Sequence, residues 1–125
     1  MKRTVIALAA AAALPLAALA HESGTGPNGG PVVDAAGHHV EMVAKGKDLV
    51  LYLTEEADRP LASSGAKNAR ALIQDGGKTA TVPLEPAEPN KLVGTLAQPL
   101  GTGARVVVSV TLADGHAVQA RFVNN

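Results

Sequence analysis

The chain has 125 residues, 46% of them hydrophobic, with 11 basic and 11 acidic side chains and no cysteine. That length holds one domain of the usual ~100 to 150 residues and excludes an enzyme that pairs a cofactor domain with a substrate domain. If residues 1–20 are removed, as argued next, Lys2 and Arg3 leave with them, and nine basic against 11 acidic residues give a net charge of −2. A chain without a basic excess is a poor nucleic-acid binder, because cations are needed to displace the counterions of phosphate.

Residues 1–20 are organised as an export signal. Met1-Lys2-Arg3 is a short positive segment, Val5 to Leu19 is rich in alanine and leucine, and Ala18-Leu19-Ala20 sets small residues at −3 and −1 of a cut after Ala20. The apolar run is shorter than the ~20 residues a comfortable span needs, which favours cleavage over retention as an N-terminal anchor. The sequence therefore predicts a periplasmic protein with no stable membrane insertion after processing. Lack of cysteine removes disulfides, thiolate ligands and a redox role. Beyond the signal Met42 is the only methionine, which excludes a thioether-rich Cu(I) site, and Tyr52 and Phe122 are the only aromatics, so the core must be Val, Leu, Ile and Ala.

Residues 21–31 hold four glycines, two prolines and no hydrophobic side chain, a composition that predicts a flexible leader. Residues 32–125 then read as a single β domain, since short apolar runs are each closed by Gly, Pro, Asn or Asp. A two-residue turn at Gly46-Lys47 opposes Met42 with Leu51 and Val40 with Leu53 on one apolar face, and sends His39, Glu41, Tyr52 and Thr54 to the other. A turn at Gly76-Gly77 opposes Ile73 with Ala80, Ala71 with Val82 and Ala69 with Leu84. At the third hairpin a two-residue turn would set Val108 against Arg121. A three-residue loop, Ala113 to Gly115 with a left-handed glycine, instead pairs Val110 with Val118, Val108 with Ala120 and Val106 with Phe122. Glu55 to Arg70, broken by Pro60 and Ser63-Ser64-Gly65, reads as a long loop with at most one helical turn. Strands near Val32 to Ala35 and Lys91 to Ala97 bring the count to seven or eight. The expected architecture is all-β, an antiparallel immunoglobulin-like β-sandwich without the Cys and Trp framework of antibody domains, with a small closed barrel as the alternative.

Nothing assembles a catalytic centre, and no organic cofactor is indicated. Ser23, Ser63, Ser64 and Ser109 lie in no Gly-x-Ser-x-Gly elbow, Glu55, Glu56 and Asp58 beside Arg59 form a solvated surface, and the glycine-rich leader precedes no strand-to-helix unit that could cradle phosphate. The histidines carry what chemistry there is. Cleavage after Ala20 makes His21 the mature N-terminus, where an α-amine and an imidazole from one residue suit Cu(II), with His38, His39 or His116 as a further ligand. His39 and Glu41 share a parity on one strand, so both point outward about 7 Å apart, close enough for one Cu(II) or Zn(II) ion. His38 falls at the end of the core face opposite Glu55, in reach of a structural hydrogen bond to that carboxylate, and His116 adjoins the bulged turn as an exposed residue.

Gly26-Pro27-Asn28-Gly29-Gly30, Val33-Asp34-Ala35 and Gly37-His38-His39-Val40-Glu41-Met42-Val43 resemble small exported proteobacterial proteins. More distantly, they resemble the β-rich N-terminal domain of periplasmic adaptor subunits of heavy-metal RND efflux systems of the cobalt-zinc-cadmium type. Arg59-Pro60-Leu61, Asn90 to Gly94, Val106 to Val110 and Gln119 to Phe122 extend the likeness over nearly the whole mature chain. It implies a β-rich fold and a link to metal handling or efflux in the envelope. In that family the stretch before Gly-Pro-x-Gly-Gly is often histidine-rich, whereas here it holds only His21. Two functions follow as expectations. One is a non-catalytic periplasmic protein that binds Cu(II) or Zn(II), with envelope efflux or metal-handling proteins as partners. The other is a metal-free interaction module that uses an edge strand or the loop from Glu55 to Arg70.

Overall fold

A computed structural model describes residues 24–125; residues 1–20, expected as an export signal, and His21 lie outside the described residues. Nine strands form two antiparallel sheets: β1 (Val32–Ala35), β2 (His38–Lys45), β3 (Asp48–Thr54), β4 (Lys67–Asp75), β5 (Lys78–Pro83), β6 (Glu85–Ala87), β7 (Lys91–Thr95), β8 (Arg105–Thr111) and β9 (Ala117–Val123). One sheet runs in the order β1-β2-β3-β7-β6 and the other β5-β4-β8-β9. The two remain separate, in keeping with a sandwich and not with a closed barrel.

Alternation of apolar and polar residues sets which face of each strand is buried. In β3, Leu49, Leu51 and Leu53 are buried while their neighbours are exposed or half-buried, and in β9 Val118, Ala120 and Phe122 alternate with exposed residues. These side chains meet Val40, Met42, Leu92, Val106 and Val108 in one core. Phe122 is the only aromatic residue in it, so close packing rests on aliphatic side chains interdigitating across a thin layer.

All three predicted hairpin registers are present. Val40 opposes Leu53, Ala71 opposes Val82, and Val108 opposes Ala120. The last hairpin closes through the three-residue loop, with Gly115 at φ +92° and Leu112 accepting its N–H at 2.8 Å. Ala80 departs from its expected inward setting: it is exposed on β5, the outermost strand of its sheet. The segment after β3 contains a single 3-10 turn, Glu56–Asp58, and β4 starts at Lys67, within the span expected to be loop. A register shift between Lys67 and Arg70, with Asn68 at φ +54°, is the irregularity that breaks the alternation there. The three residues of β6 were not expected as a strand; Pro86 sits in it, which an edge position tolerates.

Leu51 is fully shielded from solvent. Leu51→Ala should remove about 2–5 kcal/mol of stability, read as a lower urea midpoint with an unchanged denaturant slope.

Candidate functional site

The outer face of the first sheet carries the site. Ala36-Gly37 joins β1 to β2 with both residues at positive φ, 52° and 84°, the two-residue geometry that matches strand twist. This turn pairs Asp34 with His39 and Val32 with Glu41. On the other flank of β2, Thr54 opposes His39 and Tyr52 opposes Glu41. Period-two alternation thus puts Asp34, His39, Glu41 and Thr54 on one face.

Glu41 does not stand in solvent there. The residue is 4% exposed, and its carboxylate accepts three hydrogen bonds from Asn28 and Gly30. The backbone N–H of Asn28 donates to Oε2 at 2.9 Å, that of Gly30 to Oε2 at 2.8 Å, and the Asn28 amide to Oε1 at 3.0 Å. Glu41 was expected to point outward beside His39 as a metal ligand; it does lie on that face, but its carboxylate oxygens accept from the loop. The expectation of a flexible leader is corrected for residues 24–31 as well. Gly26 N–H donates to the Gly30 carbonyl at 2.8 Å, Thr25 bridges Pro31, and Met42 N–H donates to the Pro31 carbonyl at 3.0 Å. Two glycines make this seating possible, since a Cβ at Gly30 would collide with the Met42 carbonyl oxygen and one at Gly26 with the Glu41 carboxylate.

Beside the docked loop lies a cleft of about 410 Å³. Asp34, His39, Thr54 and Asp58 line it together with Gly24 to Pro27, and Glu41 contributes to its floor. Three carboxyl side chains and no lysine or arginine line this cleft, so its field favours a cation. Asp34 and His39 are directly opposed across two strands, a relation that puts their Cβ atoms about 4.5–5.5 Å apart. An oxygen and an imidazole nitrogen at that spacing can share one metal ion.

Sequence reasoning passed over Asp34. The arithmetic that fixed the other hairpins would have found it, because a turn at Ala36-Gly37 opposes residues whose numbers sum as Asp34 and His39 do.

His38 and His116 come together elsewhere. Their ring centroids are 6.1 Å apart at an interplanar angle of 80°. His38 makes no bond to Glu55, contrary to expectation; Glu55 turns instead toward Arg59, with 3.8 Å between the charged groups, at an exposed corner. His116 is exposed, as its place beside the bulged turn implied. Its backbone N–H donates to Asp114 Oδ1 at 2.9 Å, and its Nδ1 lies 3.4 Å from Oδ2. The first of these bonds, with the His116 side chain adding to it, holds the Asp114 carboxyl below its usual range. Among the described residues, no three His, Asp or Glu side chains are grouped so as to hold a metal by themselves.

Comparisons with protein-family models, with curated proteins and with solved structures find no match for this chain. What the cleft can do is set by its own residues.

Glu41→Gln keeps one oxygen for the two backbone donors but removes the charge and sets an NH2 against the Asn28 amide, and should cost about 1–3 kcal/mol. Hydrogen exchange of the Asn28 and Gly30 amides is expected to quicken while β3, β8 and β9 keep their protection. Gly30→Ala should free the same segment without altering charge, which amide exchange read by mass spectrometry will check.

Proposed function

We propose that this is a non-catalytic periplasmic protein that binds a divalent metal ion, Cu(II) or Zn(II), in the cleft beside its docked leader. His39 supplies an imidazole nitrogen and Asp34 an oxygen, and His21, once exposed by processing after Ala20, supplies its terminal amine and ring. The observation that carries this reading is the seating of the leader by Glu41. Gly24 and Thr25 line the same cleft as His39 and Asp34. Two residues, Glu22 and Ser23, lie between His21 and Gly24, so three chain steps give a reach of up to about 10 Å.

A terminal ligand on a free glycine-rich tail would have to be ordered at the moment of binding, at an entropic cost that weakens the site. Hydrogen bonds from Asn28 and Gly30 to Glu41 already fix most of that tail. The donor set is nitrogen and oxygen, suited to Cu(II) and Zn(II) and unsuited to Cu(I). Envelope proteins that export or carry metals are the partners such a site would serve.

A second reading, a metal-free interaction module, draws on β5. This outermost strand leaves one edge unpaired beside a groove of about 530 Å³ lined by Ile73, Val82 and Leu96.

Mass spectrometry of the exported protein should give an N-terminus at His21, and calorimetric titration with Cu(II) and with Zn(II) should give one tight site. His21→Ala and His39→Ala should each weaken it at least about tenfold, or 1.4 kcal/mol, and Asp34→Asn should weaken it less. A different N-terminus, or wild-type binding no tighter than that of His21→Ala, would sink the reading and favour the interaction module.

A further inference from the structure

His38 begins β2 in the five-stranded sheet, and His116 sits in the turn between β8 and β9 of the other sheet. Both ring nitrogens of His38 are shut off from solvent, and neither has a hydrogen-bond partner. Buried polar atoms of native proteins are seldom left so, and each such case asks for an explanation such as an ion that the site receives. The neighbour that His38 faces is a second imidazole, at a centroid separation of 6.1 Å.

Two imidazoles on one tetrahedral Zn(II) ion, each with its nitrogen about 2.0 Å from the metal, have ring centres about 5.2 Å apart, a spacing that widens to about 6.4 Å only when the two bonds are collinear. The observed 6.1 Å is within about 1 Å of the tetrahedral spacing, so the pair must close slightly to share an ion. Histidine χ2 is a soft torsion and His116 is exposed, so that approach calls for side-chain movement at the β8–β9 turn and not for a change in the sheets. Asp114 completes the arrangement in a specific way. Its Oδ2 lies 3.4 Å from His116 Nδ1, in place to accept from that nitrogen when the ring binds an ion through Nε2, the relation in which metal-binding histidines are usually held.

We propose that His38 and His116 form a second site, for a divalent cation of the Zn(II) type, which ties the β8–β9 turn to the start of β2, with Asp114 acting as a positioning residue for His116. The remaining coordination positions are filled by water, because His116 lies at an exposed turn. Such a site is open and exchangeable. It is also a staple between the two sheets, so the ion binds the folded chain in preference to the unfolded one and raises the melting temperature. It shares no residue with the cleft beside the leader, and either site can exist without the other.

The test is a Zn(II) titration of the processed protein, followed by the ring 15N and 1H resonances of its histidines and by thermal unfolding. Zn(II) should shift the His38 and His116 rings together along one binding curve and raise the melting temperature. His116→Ala, in an exposed turn that does not carry the fold, should abolish the His38 shift and weaken binding at this site by tenfold or more. His38→Ala should do the same to His116, and Asp114→Asn should weaken binding severalfold while leaving the ring shifts of both histidines visible at saturation. His21→Ala and His39→Ala should leave this curve unchanged, which separates its fate from that of the cleft. If millimolar Zn(II) leaves the His38 ring unmoved, or moves His116 alone, or raises the melting temperature of His116→Ala as much as that of the wild type, the second site does not exist.

Discussion

A carboxylate withdrawn from water must find donors, and Glu41 finds three in a single short loop. This constraint organises the outer face of the first sheet. Removing an ionised group from solvent is expensive unless hydrogen bonds replace the lost hydration, and backbone N–H groups from Asn28 and Gly30 do so at 2.8–2.9 Å. The same bonds hold in place a segment with almost no apolar surface of its own. Each partner thus supplies what the other lacks: the loop satisfies a buried charge, and the charge orders a loop that hydrophobic burial could not. The cleft between them is a consequence, since one wall is the docked segment and the other is β1 and β2.

The second organising feature is the adjacency of His38 and His39. Successive side chains on a strand point to opposite faces, so two neighbouring histidines address different surroundings. His39 faces the cleft among Asp34, Thr54 and Asp58, whereas His38 turns to the far side and meets His116. The sandwich brings the β8–β9 turn to that position because β9 is the edge strand lying next to β1. A dipeptide that looks like one metal-binding motif in the linear sequence is divided by the pleat into parts of two arrangements, one of which joins His38 to the distant His116.

Much of the sandwich was legible because register is a parity problem. Apolar positions in β2 and β3, in β4 and β5, and in β8 and β9 admit only one turn length that keeps Leu51, Val82 or Ala120 inside, and the structure uses those turns. The all-β class followed from the same alternation. What remained hidden depends on tertiary partners. Composition alone described residues 24–31 as unable to order themselves, which is true of the segment in isolation and fails once Glu41 is under it. The Asp34 pairing was accessible, but a four-residue strand offers too little alternation to fix a register without the Ala36-Gly37 turn geometry. Strand order within each sheet, including the non-sequential neighbours β3 with β7 and β4 with β8, leaves no local mark at all.

The donor chemistry limits what either proposed site would be good for. With nitrogen and oxygen ligands and no sulfur, affinity follows the common order in which Cu(II) exceeds Zn(II), and selectivity must come from geometry. As proposed, the cleft would bring two ligands from paired strands of one sheet and take the remainder from the processed chain end. The second site brings two imidazoles and leaves water on the metal. Neither encloses its ion as a structural zinc site with four protein ligands does, and open positions are where an incoming ligand attacks. Under the proposed reading such sites suit exchange with another carrier better than storage. The nearby carboxylates act in the same direction, drawing cations toward the cleft through a field that salt screens over about 8–10 Å, while leaving the bound ion accessible for transfer.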